Sequence, residues 1–567
     1  MRQTCSTSVL QATIAGSIPR RSGAVACARP AFLLCLLFAG ACQALSPLDP
    51  RPVAGMVWGA RAGSADWCQR LRANDAAFTS LLVMRSRAME TKDWVELCAA
   101  LADNTHLCEL KASSHALSAE ALAAFCDMLA KNGALERLAL GDAELGDAGV
   151  AAICPGLAAN RALQEVELDY KGLTAASGPA LAGALKENQS LRRLVLSRNP
   201  GLSDSGVSAL CEGLGTSGVC DLQLEEVDLT DDGLRALGAM MATCKRPMLE
   251  LSLNGNAQLT GEGTTALLSG IAAGAGLECL KLDHCPQALS GEAASALAQT
   301  LGLSSCALQR VSLLGVEPPP DGKLLLAKAV GAAATLTEAR LVNMQLGDSG
   351  AAALACALGA NSKSKLRVID VTGNQITGEG LLALLLGDGV LDQCERLVFF
   401  DNRAGAGLDE VPHALEKAAS QGAVVAGSLI DLDLGGNQLP KEWVLALLAA
   451  LARAPALLPS LRTLGLGGND GVHDVDAAFE DKVDALRHRH VPLDVVYKAM
   501  GDDGKASTNA RAQQFAQQFA AQEAPRNASA APGSDDGEGD GGRGAGGGSG
   551  GGIDASKWGN VLSPGMG

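Results

Sequence analysis

The stretch VIDVTGNQITGEGLLALLL, residues 368–386, contains residue types that could bind a dinucleotide. Gly378, Gly380 and Ala383 have the spacing of G-x-G-x-x-A, a tight turn whose backbone amides hold a pyrophosphate at the start of a helix. Asp401 follows 23 residues after Gly378, near the usual place of a ribose-binding acid. These residues raise the hypothesis of an oxidoreductase that uses NAD or NADP.

The position of these glycines along the chain argues against a cofactor. They begin seven residues after Val371, whereas a dinucleotide turn follows its strand directly. The same spacing recurs as GEGTTA from Gly261, and Asp401 has the same place after its strand pattern as Asp142 and His284. We therefore predict that the glycines belong to a repeated element and that the protein uses no cofactor.

A second group of reactive residue types is CLKLDHC, which contains Cys279, Asp283, His284 and Cys285. Their spacing matches none of the paired C-x2-C units of zinc sites. The sequence also lacks H-E-x-x-H and G-x-x-x-x-G-K-[ST], the patterns of zinc proteases and P-loop nucleotide hydrolases. We therefore predict no metal site and no catalytic residues, and we expect a protein that is not an enzyme.

Composition indicates the architecture and the class of partner. Of the 567 residues, 47% are apolar but only 3% are aromatic, and 67 are glycine, so a core of Leu, Ala and Val in many similar units is expected. The net charge is −16 and no block rich in lysine or arginine occurs. These features argue against nucleic-acid binding, which relies on phosphate neutralisation.

The pattern L-x-x-L-x-L occurs fourteen times, with successive copies starting 28 to 35 residues apart. Clear copies begin at Leu135, Leu163, Leu191, Leu277 and Leu366. Most are followed by an apolar residue and then Thr, Ser or Gly, which can cap a helix, and by apolar residues at helical spacing. Each unit is therefore predicted to be a strand, a turn and a helix.

One such unit cannot bury its own apolar face, so the units must stack. Parallel strands pack more closely than helices, and the stack is therefore expected to curve with its strands inside. The predicted fold class is α/β, a horseshoe-shaped solenoid with a concave parallel β-sheet and convex α-helices.

These units resemble the leucine-rich repeats of the ribonuclease-inhibitor-like subfamily, over about Phe78 to Tyr497. The resemblance implies an asparagine after each strand whose side chain bonds backbone groups of the turn. The matching residues are Asn199, Asn256, Asn374, Asn402, Asn437 and Asn469, and several units have other residues there. The resemblance is specific for fold and not for function.

Four regions are predicted along the chain. Residues 1–44 carry arginines, an apolar run from Ala31 to Cys42 that is too short to span a bilayer, and CQA ending at Ala44, as in a cleaved signal or targeting peptide. Residues 45–77 are a linker and N-terminal cap, 78–497 are the repeats with a C-terminal cap, and 498–567 form a disordered glycine-rich tail.

The leader predicts the secretory pathway or an extracellular location, with a plastid or another organelle as the alternative. The sequons at Asn188 and Asn527 could then carry glycans. Cys98, Cys126 and Cys154 share one helix position in successive units, and we expect buried free thiols because neighbouring helices lie roughly 9 to 10 Å apart, beyond disulfide reach. Free thiols are in tension with an oxidising compartment.

Partner binding is expected on the concave strand face, at the x positions of L-x-x-L-x-L and just after. Charges of opposite sign alternate there, and two interpretations are open: neighbouring strands pair their charges, or the polar surface recognises another protein. The predicted partner-binding residues are Lys111, Glu165, Glu167, Asp169, Arg192, Arg193, Gln223, Lys281, Arg340 and Asp370. Tyr170, Phe399 and Phe400 are further candidates, in the loops.

The predicted function is a non-catalytic scaffold that binds a protein partner, with no nucleic acid and no stable membrane span in the mature chain. The oligomeric state is open. The alternative is a regulator similar to the Ran GTPase-activating proteins, whose repeats these resemble in length. Such proteins act in the cytosol or nucleus and carry a long acidic tail, whereas this chain has a leader and a glycine-rich tail.

Overall fold

The computed structural model describes residues 63–387, 390–406, 410–421, 425–455, 457–473, 475–488 and 491–497. The chain divides into two compact units, with the boundary between Asn374 and Gln375. The predicted leader, residues 45–62 of the predicted linker and N-terminal cap, and the glycine-rich tail lie outside the described residues, as does the sequon at Asn527.

One helix and one strand alternate along the described chain. The strands are β1 (Ser80–Leu82), β2 (Glu109–Ser113), β3 (Arg137–Gly141), β4 (Glu165–Glu167), β5 (Arg193–Val195), β6 (Asp221–Gln223), β7 (Glu250–Ser252), β8 (Cys279–Lys281), β9 (Arg310–Ser312), β10 (Glu338–Arg340), β11 (Val368–Asp370), β12 (Arg396–Val398), β13 (Asp431–Asp433), β14 (Thr463–Gly465) and β15 (Asp494–Val496). The helices are α1 (Ser64–Arg72), α2 (Thr91–Leu101), α3 (Ala119–Lys131), α4 (Gly146–Ala159), α5 (Ser177–Glu187), α6 (Ser203–Leu214), α7 (Asp231–Thr243), α8 (Gly261–Ala273), α9 (Ala293–Gly302), α10 (Pro320–Ala332), α11 (Gly347–Ala360), α12 (Gly378–Leu386), α13 (Glu410–Ser420), α14 (Lys441–Arg453) and α15 (Ala477–Arg487).

The first unit contains β1 to β11, which pair in parallel and in chain order. The second residue of each strand, such as Leu110, Leu138 and Val166, is at most 1% exposed and packs into the core beneath the helices. The register matches these apolar positions strand by strand. The predicted α/β repeat solenoid is therefore confirmed.

The second unit contains β12 to β15, which also pair in parallel and in chain order. Its core includes Trp443 and Phe479. The segment after the last repeat forms α15 and β15, the helix and strand that the sequence predicts for a C-terminal cap. Tyr497 packs edge-on against Phe479 at 4.8 Å between ring centroids, and its hydroxyl donates to Glu480 Oε1 at 2.9 Å.

The turn asparagines act as the family resemblance implies. Asn199 Nδ2 donates to the carbonyls of Leu168 and Leu196 at 2.9 and 2.8 Å, and its Oδ1 accepts from the amides of Lys171 and Leu173. One buried side chain thus satisfies backbone groups of its own turn and of the preceding repeat. Asn256, Asn374 and Asn469 make the same set of bonds.

A second column of asparagines, at the helix C-termini, is not anticipated by the sequence patterns. Asn160 Nδ2 donates to the carbonyls of Leu129 and Asn132 at 2.7 and 3.0 Å, while its Oδ1 accepts from the amides of Ala162 and Leu163. Asn104, Asn132, Asn188 and Asn361 occupy equivalent positions. Each side chain ties the end of one helix to the preceding repeat and to the following strand.

Asn188 belongs to this column, so the expectation that it carries a glycan is wrong. Its side chain is buried, and its Nδ2, the atom that a glycan would occupy, donates to the carbonyls of Leu157 and Asn160 at 2.7 and 3.1 Å. A glycan at this atom is incompatible with the folded repeat.

The predicted helix caps are correct at some positions, among them Ser118, whose side chain accepts from the amide of Ala121. Thr230, Thr260 and Thr377 cap their helices by accepting from the amide two residues on. Gly146 and Ser203 are instead the first helical residues, and their amides donate to the carbonyls of Lys171 and Val227 in the following repeat. A neighbouring repeat thus replaces the local cap.

We expect Asn160→Ala to lower the free energy of unfolding by about 2–4 kcal/mol, because it leaves several buried backbone groups without partners. Urea denaturation followed by circular dichroism measures the loss. Gln189→Ala, which removes an exposed amide one residue past the same column, is the control and is expected to change stability by less than about 0.5 kcal/mol. Equal effects of the two substitutions would show that the column contributes little.

Candidate protein-binding surface

We call the side of the first unit's sheet that faces away from the helices the strand face. It carries the first and third residues of each strand, since the second residue is buried. The predicted site residues Lys111, Glu165, Glu167, Arg193, Gln223, Lys281, Arg340 and Asp370 occupy these first and third positions. Asp169 lies two residues past β4, and Arg192 immediately precedes β5.

At the centre of the strand face, Arg193 lies between two carboxylates from neighbouring strands. Its Nε is 3.0 Å from Glu165 Oε1, and its Nη1 donates to Asp221 Oδ2 at 2.5 Å. Burial raises the pKa of both Glu165 and Asp221, and Arg193 only partly offsets that rise. One guanidinium thus offsets part of the desolvation of two carboxylates from neighbouring strands.

Further along the strand face the roles are reversed, and two cations share one carboxylate. Glu250 Oε1 accepts from Lys281 Nζ at 2.5 Å, and Glu250 Oε2 accepts from Arg310 Nη2 at 3.2 Å. Burial would raise the pKa of Glu250, but Lys281 and Arg310 outweigh it and the pKa is lowered. Gln223 also donates to Glu250 Oε1 at 3.3 Å.

Most of the remaining predicted charges form ion pairs as well. Lys111 Nζ lies 3.6 Å from Glu109 and 3.4 Å from Glu167, and Arg340 Nε lies 3.5 Å from Asp370 Oδ2. Asp169 pairs with Arg198 of the next turn, and Arg192 Nη1 donates to the carbonyl of Gly218 at 2.9 Å. The structure therefore brings the alternating charges together as ion pairs between repeats, the first of the two interpretations of the pattern.

The loop aromatics differ in accessibility. Tyr170 is 63% exposed, whereas Phe399 is fully buried and Phe400 is 8% exposed. The expectation that Phe399 and Phe400 are accessible to a partner is therefore wrong, because both side chains belong to the core of the second unit. Tyr170 alone of the three can reach a partner without rearrangement.

The cysteines and the CLKLDHC group have structural surroundings. All thirteen cysteines of the described residues are free, and burial raises the pKa of Cys154 to about 12, which disfavours the reactive thiolate. The Asp283 carboxylate accepts from Ser312 Oγ and the Leu314 amide at 2.7 and 2.8 Å. Within the described ranges, no three potential ligands cluster as a metal site would require.

Lys171 is a residue that the sequence analysis missed. It occupies the position of the turn asparagine, in the repeat before that of Asn199, and its side chain is only 4% exposed. No acceptor in the described residues lies within hydrogen-bonding distance of its Nζ. Burial lowers its pKa, although Asp169, Asp142 and Glu167 act in the opposite direction. A lysine at the position that holds asparagine in six other units was the available sequence signal.

With this geometry established, comparison with known families gives one match. A family model described as a leucine-rich repeat matches residues 132–154, 187–211 and 362–385. Each segment contains one strand and most of the helix that follows it: β3 with α4, β5 with α6, and β11 with α12. The chain contains leucine-rich repeats. No curated protein matches the sequence.

Several solved structures show similarity at low identity. An actin-binding site 2 structure of leiomodin-1 has 22% identity and a TM-score of 0.22, covering 26% of this chain and 88% of that one. The tropomodulin C-terminal domain of Caenorhabditis elegans has 16% identity and a TM-score of 0.24, covering 27% and 93%. The yeast Rad7 and Elc1 complex has 12% identity and a TM-score of 0.34, covering 76% and 92%. Similarity at this level transfers no partner or activity to this chain.

None of the helices in the described part of the chain has the length and apolar character needed to cross a bilayer.

We expect Arg193→Met to lower the free energy of unfolding by about 3–5 kcal/mol at pH 7, because it leaves Glu165 and Asp221 buried without their shared cation. Both carboxyls then titrate at a higher pKa in the folded state than in the unfolded chain. The variant therefore recovers part of its lost stability as the pH falls and these two carboxyls take up protons. The difference in free energy of unfolding between wild type and variant should be smaller near pH 4 than at pH 7. Urea denaturation at both pH values measures it.

Arg198→Met is the matched control for that substitution. Arg198 also pairs with one carboxylate of a neighbouring repeat, but its side chain is 38% exposed, so a loss below about 1 kcal/mol is expected. Equal losses in the two variants, or a loss in Arg193→Met that does not change with pH, would contradict the buried-charge explanation.

We expect Lys171→Asn to raise the free energy of unfolding by about 1–3 kcal/mol at pH 7, because it removes a buried ammonium and restores the amide used in other turns. The folded-state pKa of Lys171 is depressed, so wild-type stability falls as the pH drops below about 10.4, the unfolded value. The advantage of the variant should shrink above about pH 10.

Thermal unfolding at pH 7 and pH 10.5 tests this expectation. Lys186→Asn, which changes an exposed lysine on α5, is the control and should alter stability by less than about 0.5 kcal/mol. An advantage of Lys171→Asn that is the same at both pH values would show that burial of the charge is not its cause.

Proposed function

We propose that this protein is a non-catalytic leucine-rich repeat scaffold of the ribonuclease-inhibitor-like type, and that it binds a protein partner on the strand face. The observation that carries the proposal is the parallel register of β1 to β11, which sets two rows of polar side chains side by side on a surface without helices. Each row extends over many repeats, as recognition of a folded partner requires.

The proposed concavity of the strand face follows from spacing. Neighbouring strands lie about 4.8 Å apart, whereas packed helices need about 8–10 Å, so a stack of such units bends towards its strands. A concave surface lets a partner contact several repeats at once. Because the charges of this surface are already paired, we propose that specificity depends on the shape and polarity of whole rows.

We also propose that the protein is secreted. This proposal rests on the sequence of the leader, because residues 1–62 lie outside the described residues. The free cysteines agree with a reducing compartment as well as with burial that protects them from oxidation. The organelle alternative therefore stays open beside the secretory one.

We expect Val195→Arg to abolish capture of a partner by the tagged protein. Val195 is the half-buried third residue of β5, between Glu167 and Gln223 in the register, so an arginine there adds bulk and charge without breaking an ion pair. Ala130→Arg adds the same side chain at an exposed position of α3 on the helix layer and should leave capture unchanged.

Affinity purification followed by quantitative mass spectrometry compares the wild type with both variants, after circular dichroism shows that each is folded. Capture of the same partner by wild type and Val195→Arg would place binding away from the strand face. Loss of the partner in both Val195→Arg and Ala130→Arg would also contradict the proposal, because binding would then not depend on the strand face in particular.

A further inference from the structure

The sheet of the first unit has an open edge along β1. This strand stands first in the strand order, and among the described strands it pairs only with β2. The Val83 amide, just past β1, donates to the Lys111 carbonyl of β2 at 2.8 Å. Because alternate residues of a strand direct their amides and carbonyls to opposite sides, those of Ser80 and Leu82 face away from β2. No described strand bonds them there, and an edge of this kind can accept a further strand.

Two large apolar side chains lie exposed beside the same edge. Leu82 is the third residue of β1 and Met84 follows two residues later, and each is 37% exposed. Few other large apolar residues of the described chain are as exposed. Neighbouring strands lie about 4.8 Å apart, so a strand added to β1 would cover part of Leu82. The edge therefore offers both backbone groups and apolar surface to a further strand.

The helix α1 has the features of a repeat helix. Its Asp66 and Trp67 recur 27 residues later in α2 as Asp93 and Trp94, and both tryptophans are 1% exposed. Ser64 Oγ donates to Asp93 Oδ1 at 3.1 Å, so the two helices begin side by side. Every later helix of the first unit follows a strand of the sheet, whereas the described chain begins at residue 63, directly before α1. The pattern of the repeats therefore predicts a strand before residue 63.

The spacing of the repeats locates that strand in the sequence. β1 starts 11 residues before α2, and the other strands of the first unit start 9 to 14 residues before the helices that follow them. Applied to α1, the β1 spacing places the first residue of the strand at Val53. Ala54 and Met56 then take the positions of Leu81 and Val83, which are buried in the core. The sequence thus supplies apolar residues at both inward positions.

The residues just before Val53 suit the outermost strand of a sheet. Pro52 precedes the strand, and proline is tolerated in sheets at an edge or at the start of a strand. Arg51 takes the position of Phe78, which is fully buried one repeat further on. Proline and charged residues at an edge strand discourage further pairing, so a strand of this sequence ends the sheet.

We propose that residues 53–55 dock on the open edge of β1 as a parallel strand, with Val53 opposite Ser80 and Gly55 opposite Leu82. The Leu82 amide donates to the Ala54 carbonyl, and the Ala54 amide donates to the Ser80 carbonyl. The docked strand satisfies the edge, covers Leu82 and keeps β1 from pairing with a second copy of the chain. Cleavage after the predicted leader would leave this strand in the mature protein.

Hydrogen exchange of the full chain, resolved to single amides by mass spectrometry with electron-transfer fragmentation, tests the proposal. In the wild type the Ser80 and Leu82 amides should exchange slowly, because both donate to the docked strand. Ala54→Pro removes the amide that donates to the Ser80 carbonyl and so prevents docking. Exchange at Ser80 and Leu82 should then become at least about tenfold faster.

Gly55→Pro is the matched control for Ala54→Pro. In the proposed register the Gly55 amide faces away from β1, so a proline there should leave exchange at Leu82 unchanged. Exchange of the β8 amides, in the middle of the first unit, reports whether each variant is folded. Should Ala54→Pro fail to fold, Met56→Ser takes its place. It keeps every amide, removes an inward side chain of the segment and should raise exchange at Leu82 about threefold.

Three results would overturn the proposal. The first is fast exchange at Ser80 and Leu82 in the wild type, or slow exchange that Ala54→Pro and Met56→Ser leave unchanged. The second is an equal effect of Ala54→Pro and Gly55→Pro, since the register would then be wrong. The third is slow exchange at Leu82 that is lost when the wild type is diluted tenfold, because protection would then come from a second copy of the chain.

Discussion

Satisfaction of backbone polar groups by the neighbouring repeat is the interaction on which the rest of the fold depends. Each turn and each helix end exposes amides and carbonyls that cannot be buried without partners. The turn asparagines, such as Asn199, and the helix-end asparagines, such as Asn160, supply those partners across repeats. Every repeat therefore needs its neighbour for hydrogen bonding as well as for burial, and stability is a property of the stack.

The units without a turn asparagine show how this constraint can be relaxed. Val227, Cys285 and Val316 replace it and are fully buried. An apolar side chain leaves the turn with fewer bonds but adds no buried polar group of its own. Lys171 differs, because it removes the asparagine bonds and also buries an ammonium. The same position thus accepts a hydrophobic residue at modest cost and a charged one only at a larger cost.

The regular parts of the molecule could be predicted from the sequence because they depend on period. The spacing of Leu135, Leu163 and Leu191 determines both the strands and their register, since one residue of slip would turn a whole apolar row outward. The helix-end asparagines could not be predicted, because Asn132 and Asn160 lie between the helical apolar pattern and the next L-x-x-L-x-L strand pattern. A single asparagine in a link from helix to strand has many possible roles. The glycine loop at Gly378 was interpreted correctly because it recurs.

The candidate site was less predictable, because the sequence shows which charges lie near one another but not how they pair. Glu165 and Arg193 have opposite charges in neighbouring repeats, which fits both cross-strand pairing and partner recognition. Only the distances show that Arg193 serves two carboxylates. Phe399 and Tyr170 are both aromatic residues past a strand, yet Phe399 directly follows β12 and is buried, whereas Tyr170 lies three residues past β4 in a turn, with a φ of 55°, and is exposed.

Pairing within the strand face has a consequence for recognition. A charge already held by a neighbouring repeat gains little from a partner, because a new ion pair must replace the existing one and desolvate it further. Selective attraction is therefore stronger where the pairing stops. Among the described residues of the first unit, Glu226 and Asp228 in the turn beyond β6 have no ion-pair partner, whereas Asp169 and Arg198 in the turns beyond β4 and β5 pair with each other.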